Sequence, residues 1–437
     1  MSWQTYDRYK ESNIHWAMEI PKHWEITKLK RIFKFEKGKN SNLLTEEYVK
    51  SNEGLYPVYS GQTKNNGVLG FIDSYEYDFK NDVILVTTVG AKAMTTFLIK
   101  GKLSLSQNCA LIKLKSLDDL SNYYYYLCKI LFNYERGLIP DIMQPSLRIS
   151  DLNTYNIIKP PIKEQKQIAN YLDKKISNID SIITRNKQLI NLLEERQISL
   201  INQVVTKGLN PNVPMKDSSI KWIGKIPEHW NLEKIKNLSQ VKPSNIDKKS
   251  KDNEPQVLLC NYTDVYNNEF ITMELDFMKA TASYDQIRKL SLDINDIIIT
   301  KDSESADDIA VPAIVTERLD NVVCGYHLAV IRPNTNIIYP KFLFRSFESY
   351  KINKQFEHGA NGVTRFGLGS YPINNAYICL PPLGEQKEIA IYLDNETSKI
   401  NKTVQKIKEN IILLGEYKTS LIHQVVTGKI DIRGEEI

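Results

Sequence analysis

"PPIKEQKQIANYLDKKI" at 160–176 and "PPLGEQKEIAIYLDNET" at 381–397 are one helix opening written twice, 221 positions apart. Aligned without a gap from these points, 160–206 and 381–427 share 24 of 47 residues, and they close alike, on "SLINQVVT" (199–206) and "SLIHQVVT" (420–427). A second duplication stands at the front of each half, "SNIHWAMEIPKHW" (12–24) against "SSIKWIGKIPEHW" (218–230), at an offset of 206. Self-similarity of this kind decides the architecture before any local reading does. It describes a frame used twice (lead-in motif, variable block, shared segment) around blocks at about 31–159 and 237–380 that do not align with each other.

The shared segment reads as a helix with a seam. Pro-Pro ends the preceding extended chain, and Glu164 or Glu385 falls in the first turn, where a carboxylate suits the helix dipole. Apolar residues then recur with a heptad period. In the first copy the a positions are Ala169, Ile176, Ile183, Ile190, Gln197 and Val204, with Leu172, Ile179, Asn186, Leu193 and Leu200 at d. In the second they are Ala390, Thr397, Val404, Ile411, Lys418 and Val425, with Leu393, Ile400, Ile407, Leu414 and Leu421 at d. Five or six heptads per copy argue for a coiled coil rather than an amphipathic helix packed on its own domain. Asn186, whose counterpart is Ile407, and Gln197, whose counterpart is Lys418, are polar intrusions that can set register and orientation.

Each helix spans roughly 40 residues, or about 60 Å. The short connection "KGLNPNVPMKDSS" (207–219) cannot carry the chain back along such a length. The arrangement that follows is two antiparallel helices with a globular domain at each end and a pseudo-two-fold axis between them.

The totals are compatible with this. A chain of 437 residues with 42% hydrophobic residues has material for two or three cores. A net charge of +5 and pI near 8.6 suit a nucleic-acid partner without making a polycation. Cys109, Cys128, Cys260, Cys324 and Cys379 fall at no metal or redox spacing and read as reduced, mostly buried thiols. The start "MSWQTYDRYK" has no apolar signal core, and no apolar run approaches the roughly 18 residues of a membrane span. The expectation is a cytoplasmic chain with no membrane partner.

The duplicated frame, "IPKHW" with "IPEHW", "PPIKEQKQIA" with "PPLGEQKEIA", and the closing "QVVTGKIDIR" (424–433) resemble the specificity subunit of a Type I restriction–modification system over nearly the whole chain. The resemblance implies an α+β fold: two globular α/β target recognition domains joined by two long antiparallel coiled-coil helices, an internal repeat with pseudo-two-fold symmetry. The domain limits that follow are 1–160 for the first recognition domain with its lead-in motif, 161–208 for the first helix, 209–380 for the second domain, and 381–437 for the second helix with a tail. The family's role is to read one half of an asymmetric, bipartite double-stranded DNA site with each domain, the helices setting the gap. The expected partners are two methylation subunits and, for cleavage, two restriction subunits. S-adenosylmethionine, ATP and Mg²⁺ are expected in those partners and no cofactor in this chain.

Side chains able to reach base edges or phosphates gather in a few loops. In the first block, "SGQTKNNG" (60–67) reads as a hairpin loop with Asn66-Gly67 turn chemistry, offering Gln62, Lys64, Asn65 and Asn66. The stretch 82–114 reads as successive strands with Gly90 and Gly101 at turns and Lys92 near the first, and 133–152 as a loop carrying Gln144 and Arg148. The tyrosine run 123–126 reads as a helix start with one buried face rather than as a stacking platform. In the second block, 296–315 reads as strand, polar loop, strand, and places Lys301, Asp302, Ser303 and Glu304 where a strand ends. A single strand at 322–333 carries Tyr326 and His327, and the glycine-rich 359–373 carries Asn361, Thr364 and Arg365. These second-block segments resemble recurring motifs of the family's recognition domains.

No catalytic constellation emerges. Pro140-Asp141 before "EQK" (164–166) mimics a metal-dependent nuclease, but "EQK" recurs at 385–387 without a matching Pro-Asp. Neither glycine-rich nucleotide loop is present, and both Pro-Pro pairs lack the context of an amino-methyltransferase signature. His23 and His229 recur inside "PxHW" and read as packing or capping groups. The chain is expected to be non-catalytic; a stand-alone DNA-binding regulator and, less well supported, a metal-dependent nuclease are the alternatives. Positions off the seam yet identical in both copies, Gln165/Gln386, Tyr171/Tyr392, Asp173/Asp394, Glu195/Glu416 and Gln203/Gln424, suggest a surface displayed twice for two copies of one partner.

Overall fold

The computed structural model of the protein describes residues 4–116, 120–140 and 142–435. The two shared segments are unbroken helices, Ile162–Lys207 of 46 residues and Leu383–Val426 of 44. Every a and d side chain named above is buried or half-buried, while Lys163, Lys174, Lys187 and Lys402 beside them are exposed. The heptad period therefore describes the observed seam.

Compact packing divides the chain into Met1–Asn186 with Glu409–Ile437, the first unit, and Lys187–Lys408, the second. The division cuts through both long helices. In the first unit, Ile176 and Ile179 share a core with Leu421, Ile422, Val425 and Val426. Lys418 Nζ lies 2.7 Å from Asp180 Oδ2, and further toward the start of the first helix Tyr6 bonds Glu164 while Tyr9 bonds the carbonyl of Gly428. Descending one helix is ascending the other: the pair is antiparallel. In the second unit the ends exchange roles, and Ile201, Val204 and Val205 pack with Ile389, Ala390 and Leu393.

The lead-in motif fastens each helix start. Trp24 Nε1 donates to Glu164 Oε2 at 3.0 Å and His23 Nε2 lies 2.7 Å from Glu164 Oε1. In the second unit, Trp230 Nε1 donates to Glu385 Oε2 at 3.1 Å, with His229 Nε2 at 2.9 Å. The two histidines thus pack and cap, as their repetition suggests. Strand pairs repeat as well: Tyr9–Glu11 with Glu19–Pro21 matches Met215–Asp217 with Lys225–Pro227, and Glu25–Lys28 with Asn156–Lys159 matches Asn231–Lys234 with Tyr377–Leu380, in the same registers.

Between these fixed parts the blocks differ. The first holds a six-stranded sheet in the order Phe33–Glu36, Cys109–Leu114, Tyr77–Thr87, Thr96–Leu105, Glu53–Tyr59, Val68–Ile72. Helix Ser121–Gly137 covers it with Tyr123, Tyr124, Tyr126, Leu127, Leu131 and Phe132 buried. The tyrosine run is core. The second block holds a five-stranded sheet, Ser239–Pro243, Leu328–Pro333, Ile297–Thr300, Pro312–Val315, Phe270–Ile271, and a three-stranded sheet, Met278–Thr281, Gln256–Cys260, Val322–Cys324. All five cysteines are buried and free.

The hairpin turn is centred on Asn66-Gly67 as predicted, with Asn66 at φ 54°, Gly67 at φ 87° and Val68 N–H donating to the Asn65 carbonyl. Three local readings change. Gly101 sits inside the strand Thr96–Leu105 at φ 85°, where the register slips between Phe79 and Val83: a bulge, not a turn. The expected loop 133–152 is helical at both ends, since the preceding helix runs on to Gly137 and Ile149–Leu152 forms another turn. Residues 322–333 are two strands in two sheets, because the chain crosses over at Gly325, whose N–H donates to the Cys260 carbonyl at 2.8 Å. A Cβ there would sit 2.6 Å from that oxygen, so only glycine permits the crossing.

Candidate functional site

In the second unit the crossing at Gly325 delivers Tyr326 and His327 beside the end of strand Ile297–Thr300, where Lys301 and Asp302 emerge. His327 Nδ1 lies 2.8 Å from Asp302 Oδ2, and the Tyr326 ring stands edge-on to the imidazole at 4.6 Å. Lys301 Nζ sits 5.0 Å over the Tyr326 ring and donates to the Ser244 carbonyl at 3.1 Å. The glycine-rich loop closes on itself through paired backbone bonds between Asn361 and Gly367, and the Asp302–Ser303 strand pairs with Phe366–Gly367. Arg365 Nη2 thereby comes within 3.4 Å of His327 Nδ1. Gly362, at φ 146°, leaves no room for a Cβ, which would lie 1.9 Å from the Arg365 carbonyl; the loop tip therefore needs it. Three segments separate in sequence thus meet at one face, with Asn361, Thr364, Arg365 and Tyr326 exposed.

Ser303 is a correction. It is 7% exposed, accepts from the Ser305 N–H and is turned inward, so it offers nothing to a ligand. The sequence reading also missed several neighbours. Tyr262 and Tyr266 stack at 5.4 Å, and Tyr266 donates to Asp308 at 2.8 Å, which raises its hydroxyl pKa. Val363 is 92% exposed at the loop tip, an apolar side chain left open to solvent. The loop is acidic at Asp302, Glu304, Asp307 and Asp308, chemistry that suits base amino groups and repels phosphate. Positive charge stands nearby on the exposed Lys248 and Lys249, just beyond the Ser244 that Lys301 holds. A run of lysines in "IDKKSK" (246–251) was the available signal.

In the first unit, Lys64, Asn65 and Asn66 are exposed at the hairpin tip. Gln62 is a correction: its amide closes the turn on the Val68 carbonyl rather than projecting. The loop carrying exposed Lys92 is tied to the segment carrying exposed Gln144 and Arg148, through Gly90 N–H to Pro145 O at 3.1 Å and Leu147 N–H to Thr88 O at 2.8 Å. Asn66, Thr95, Phe97 and Arg136 line one cleft of about 1420 Å³ with Lys129, whose pKa burial lowers.

The duplicated polar positions separate into two sets. Gln165 and Gln386 are buried: Gln165 accepts from Leu120 N–H at 3.2 Å and donates to Pro160 O at 2.9 Å, and Gln386 does the same with Tyr339 and Pro381 at 2.7 and 2.9 Å. Asp173 accepts from Tyr126 at 2.7 Å, and Asp394 holds Lys341 at 2.8 Å and Arg345 at 2.9 Å. Tyr171 is buried, whereas Tyr392 is 39% exposed. Gln165, Gln386, Asp173 and Asp394 thus explain their own repetition internally. They position the helices, and a partner surface needs other residues. Glu195, Gln203 and Glu416 are exposed and Gln424 half-exposed, in equivalent grooves: Glu195, Ser199, Gln203 in about 460 Å³ and Glu416, Ser420, Gln424 in about 730 Å³. One turn earlier stand Leu192 and Leu413, identical in the two copies, off the seam and 60% and 61% exposed. They were legible as apolar identities outside the a and d positions.

Only part of the nuclease-like pattern falls within the described residues. Asp141 lies outside the described residues, and the Glu164 carboxylate is engaged by Trp24, His23 and Tyr6. Among the described residues no three His, Cys, Asp or Glu side chains are grouped to hold a metal ion, and no helix is long and apolar enough to cross a membrane.

Comparison with known proteins gives a consistent picture. The model of the family described as Type I restriction modification DNA specificity domain matches residues 21–194 and 227–411. The chain is 26% identical to the Type I restriction enzyme MjaVIII specificity subunit of Methanocaldococcus jannaschii, over 97% of both chains. It is 26% identical to a putative type I specificity subunit of Mycoplasma pneumoniae, over 84% of this chain and 87% of that one. Two solved structures share the fold. One comes from work on complex assembly and conformational transition of the type I R-M system, with a TM-score of 0.69 at 12% identity, covering 93% of this chain and 98% of that one. The other is the HsdS subunit from Thermoanaerobacter tengcongensis, with a TM-score of 0.51 at 13% identity, covering 94% and 98%.

Proposed function

Since the chain belongs to the Type I restriction–modification DNA specificity family, we propose that each unit reads one half of a bipartite double-stranded DNA site through the loops described above. In the second unit these are Lys301, Asp302, Tyr326, His327, Asn361, Thr364 and Arg365; in the first, Lys64, Asn65, Asn66, Lys92, Gln144 and Arg148. The observation that carries the reading is a frame repeated strand pair for strand pair around two unlike sheets. A common frame with unlike readers fits an asymmetric target.

The partners in this reading are two methylation subunits, with two restriction subunits added for cleavage. Methyl donor, nucleotide and Mg²⁺ chemistry belongs to them, and the assembly works on DNA in the cytoplasm. Methylation subunits dock on the stripe Leu192, Glu195, Ser199, Gln203 and on its copy Leu413, Glu416, Ser420, Gln424. Spacings of three, four and four residues keep each set on one helix face.

Native mass spectrometry of the purified complex tests this. Leu192→Asp or Leu413→Asp alone should leave one methylation subunit per chain and the double variant none; full occupancy in the double variant rules out the stripe. A stand-alone regulator is distinguished by DNA binding: the isolated chain would then bind its site as tightly as the complex does.

A further inference from the structure

We propose that His327 selects an amino-bearing base, adenine or cytosine, at one position of the half-site read by the second unit, and that Asp302 is its positioning residue. The inference deepens the reading of this face as a DNA reader and rests on it.

A carboxylate only accepts hydrogen bonds. Two groups face His327 Nδ1: Asp302 Oδ2 at 2.8 Å, which accepts, and Arg365 Nη2 at 3.4 Å, which can only donate; the shorter carboxylate contact outweighs the longer one, so the proton sits on Nδ1 and in the neutral ring the lone pair is on Nε2. The carboxylate is itself held. Its backbone pairs in register with Gly367, and its Oδ1 lies so near that a Cβ on Gly367 would be 3.4 Å away. The imidazole is braced by the Tyr326 ring and by the turn in which Leu328 N–H returns to the Gly325 carbonyl at 3.1 Å. Among the described residues no hydrogen bond is made to Nε2. An aimed acceptor of this kind matches adenine N6–H₂ or cytosine N4–H₂ in the major groove and is repelled by guanine O6/N7 and thymine O4.

Asp302 thus sets which bases are accepted without touching them. An asparagine in its place, with its side-chain N–H₂ turned toward Nδ1, moves the ring proton to Nε2 and turns the acceptor into a donor. The two residues together define a tautomer code, and a chemically small substitution should invert it.

The experiment maps methylated sites across the genome of cells carrying the full chain with its methylation subunits, for wild type, His327→Ala, His327→Asn, Asp302→Asn and Arg365→Ala. In wild type one position of the second half-site should favour adenine or cytosine by roughly five-fold to a hundred-fold over guanine and thymine. His327→Ala and His327→Asn should relax that position alone, and Asp302→Asn should shift it toward guanine or thymine. A purely structural role would lower methylation everywhere and leave the motif intact; that result overturns the proposal. If Arg365→Ala rewrites the second half-site while the His327 and Asp302 variants keep every base, the assignment of His327 falls and the DNA face stands. If none of the variants alters the motif, the DNA face falls too.

Discussion

Trp24 Nε1 donates to Glu164 Oε2 at 3.0 Å, and the same carboxylate oxygen accepts from the Tyr6 hydroxyl at 2.9 Å. In the second unit Trp230 and Glu385 repeat the first bond at 3.1 Å, but Glu385 is more open, at 26% side-chain exposure against 10% for Glu164. Removing a carboxylate leaves its donors unsatisfied, at about 1–3 kcal/mol for a buried group. Glu164→Ala strands two buried donors and should destabilise by about 3 kcal/mol, and Glu385→Ala by about 1 kcal/mol. Denaturant melts of the two variants check the order; equal losses would mean that the repeat, and not burial, sets the energy.

The frame was readable because its signals are periodic. Leu172, Ile179 and Leu193 fall on a seven-residue beat that physics allows only in a paired helix, and the matched "PxHW" and "EQK" give the clamp at both ends. The site was readable only in part. His327 and Arg365 are 38 positions apart, and nothing local foretells that a crossing at Gly325 and a closed loop at Asn361–Gly367 bring them together. Gln62, Ser303, Gln165 and Gln386 failed for a common reason: a polar side chain in a loop or at a helix start can satisfy buried backbone groups as readily as it can face a ligand. Sequence shows the donor but not the direction in which it points. Exposure separates the two cases, as Leu192 and Leu413 show from the opposite side.

A buried charge cluster gives the second unit a pH signature. Arg345, 1% exposed, holds Glu348 at 2.8 Å and Asp394 at 2.9 Å and also pairs with Glu269. Burial raises the Glu348 pKa to about 7, against the pull of Arg345 that lowers it. A carboxyl whose folded pKa lies above its unfolded value binds more protons when folded. Its contribution therefore favours folding at low pH and is lost as pH rises from near 4.5 to about 7. Glu348→Gln should melt higher than wild type at pH 8, by a few degrees for roughly 1–2 kcal/mol, with the gap closing toward pH 4.5. Thermal melts across pH show it; a constant gap would mean that Glu348 does not titrate in that window.

Lys248 and Lys249 follow the loop that Lys301 anchors at Ser244, beside the acidic face proposed above to read bases. Phosphate contacts carry affinity and little sequence information. The double variant Lys248→Ala, Lys249→Ala in the methylation complex should bind all sequences more weakly by a similar factor. The slope of log affinity against log salt should flatten by about 0.9 for each phosphate that a lysine no longer neutralises. Fluorescence anisotropy across a salt series measures it. A changed methylation motif with an unchanged slope would move these lysines from phosphate to base.

Seam lengths of 46 and 44 residues leave the two helices well matched, and the heptad is their natural unit of change. One heptad inserted in each helix at equivalent positions, after Ile190 and after Ile411, keeps every a and d residue on the seam. It lengthens each helix by about 10 Å, which corresponds to roughly three base pairs of duplex. If the helices set the distance between the readers, the gap between the half-sites should grow by about that amount, and both half-sites should keep their bases. Inserting a heptad in only one helix breaks the match and should abolish methylation. Mapping methylated sites in both variants decides the matter: an unchanged gap in the paired insertion removes the helices as the spacer, and altered half-sites would mean that they take part in reading.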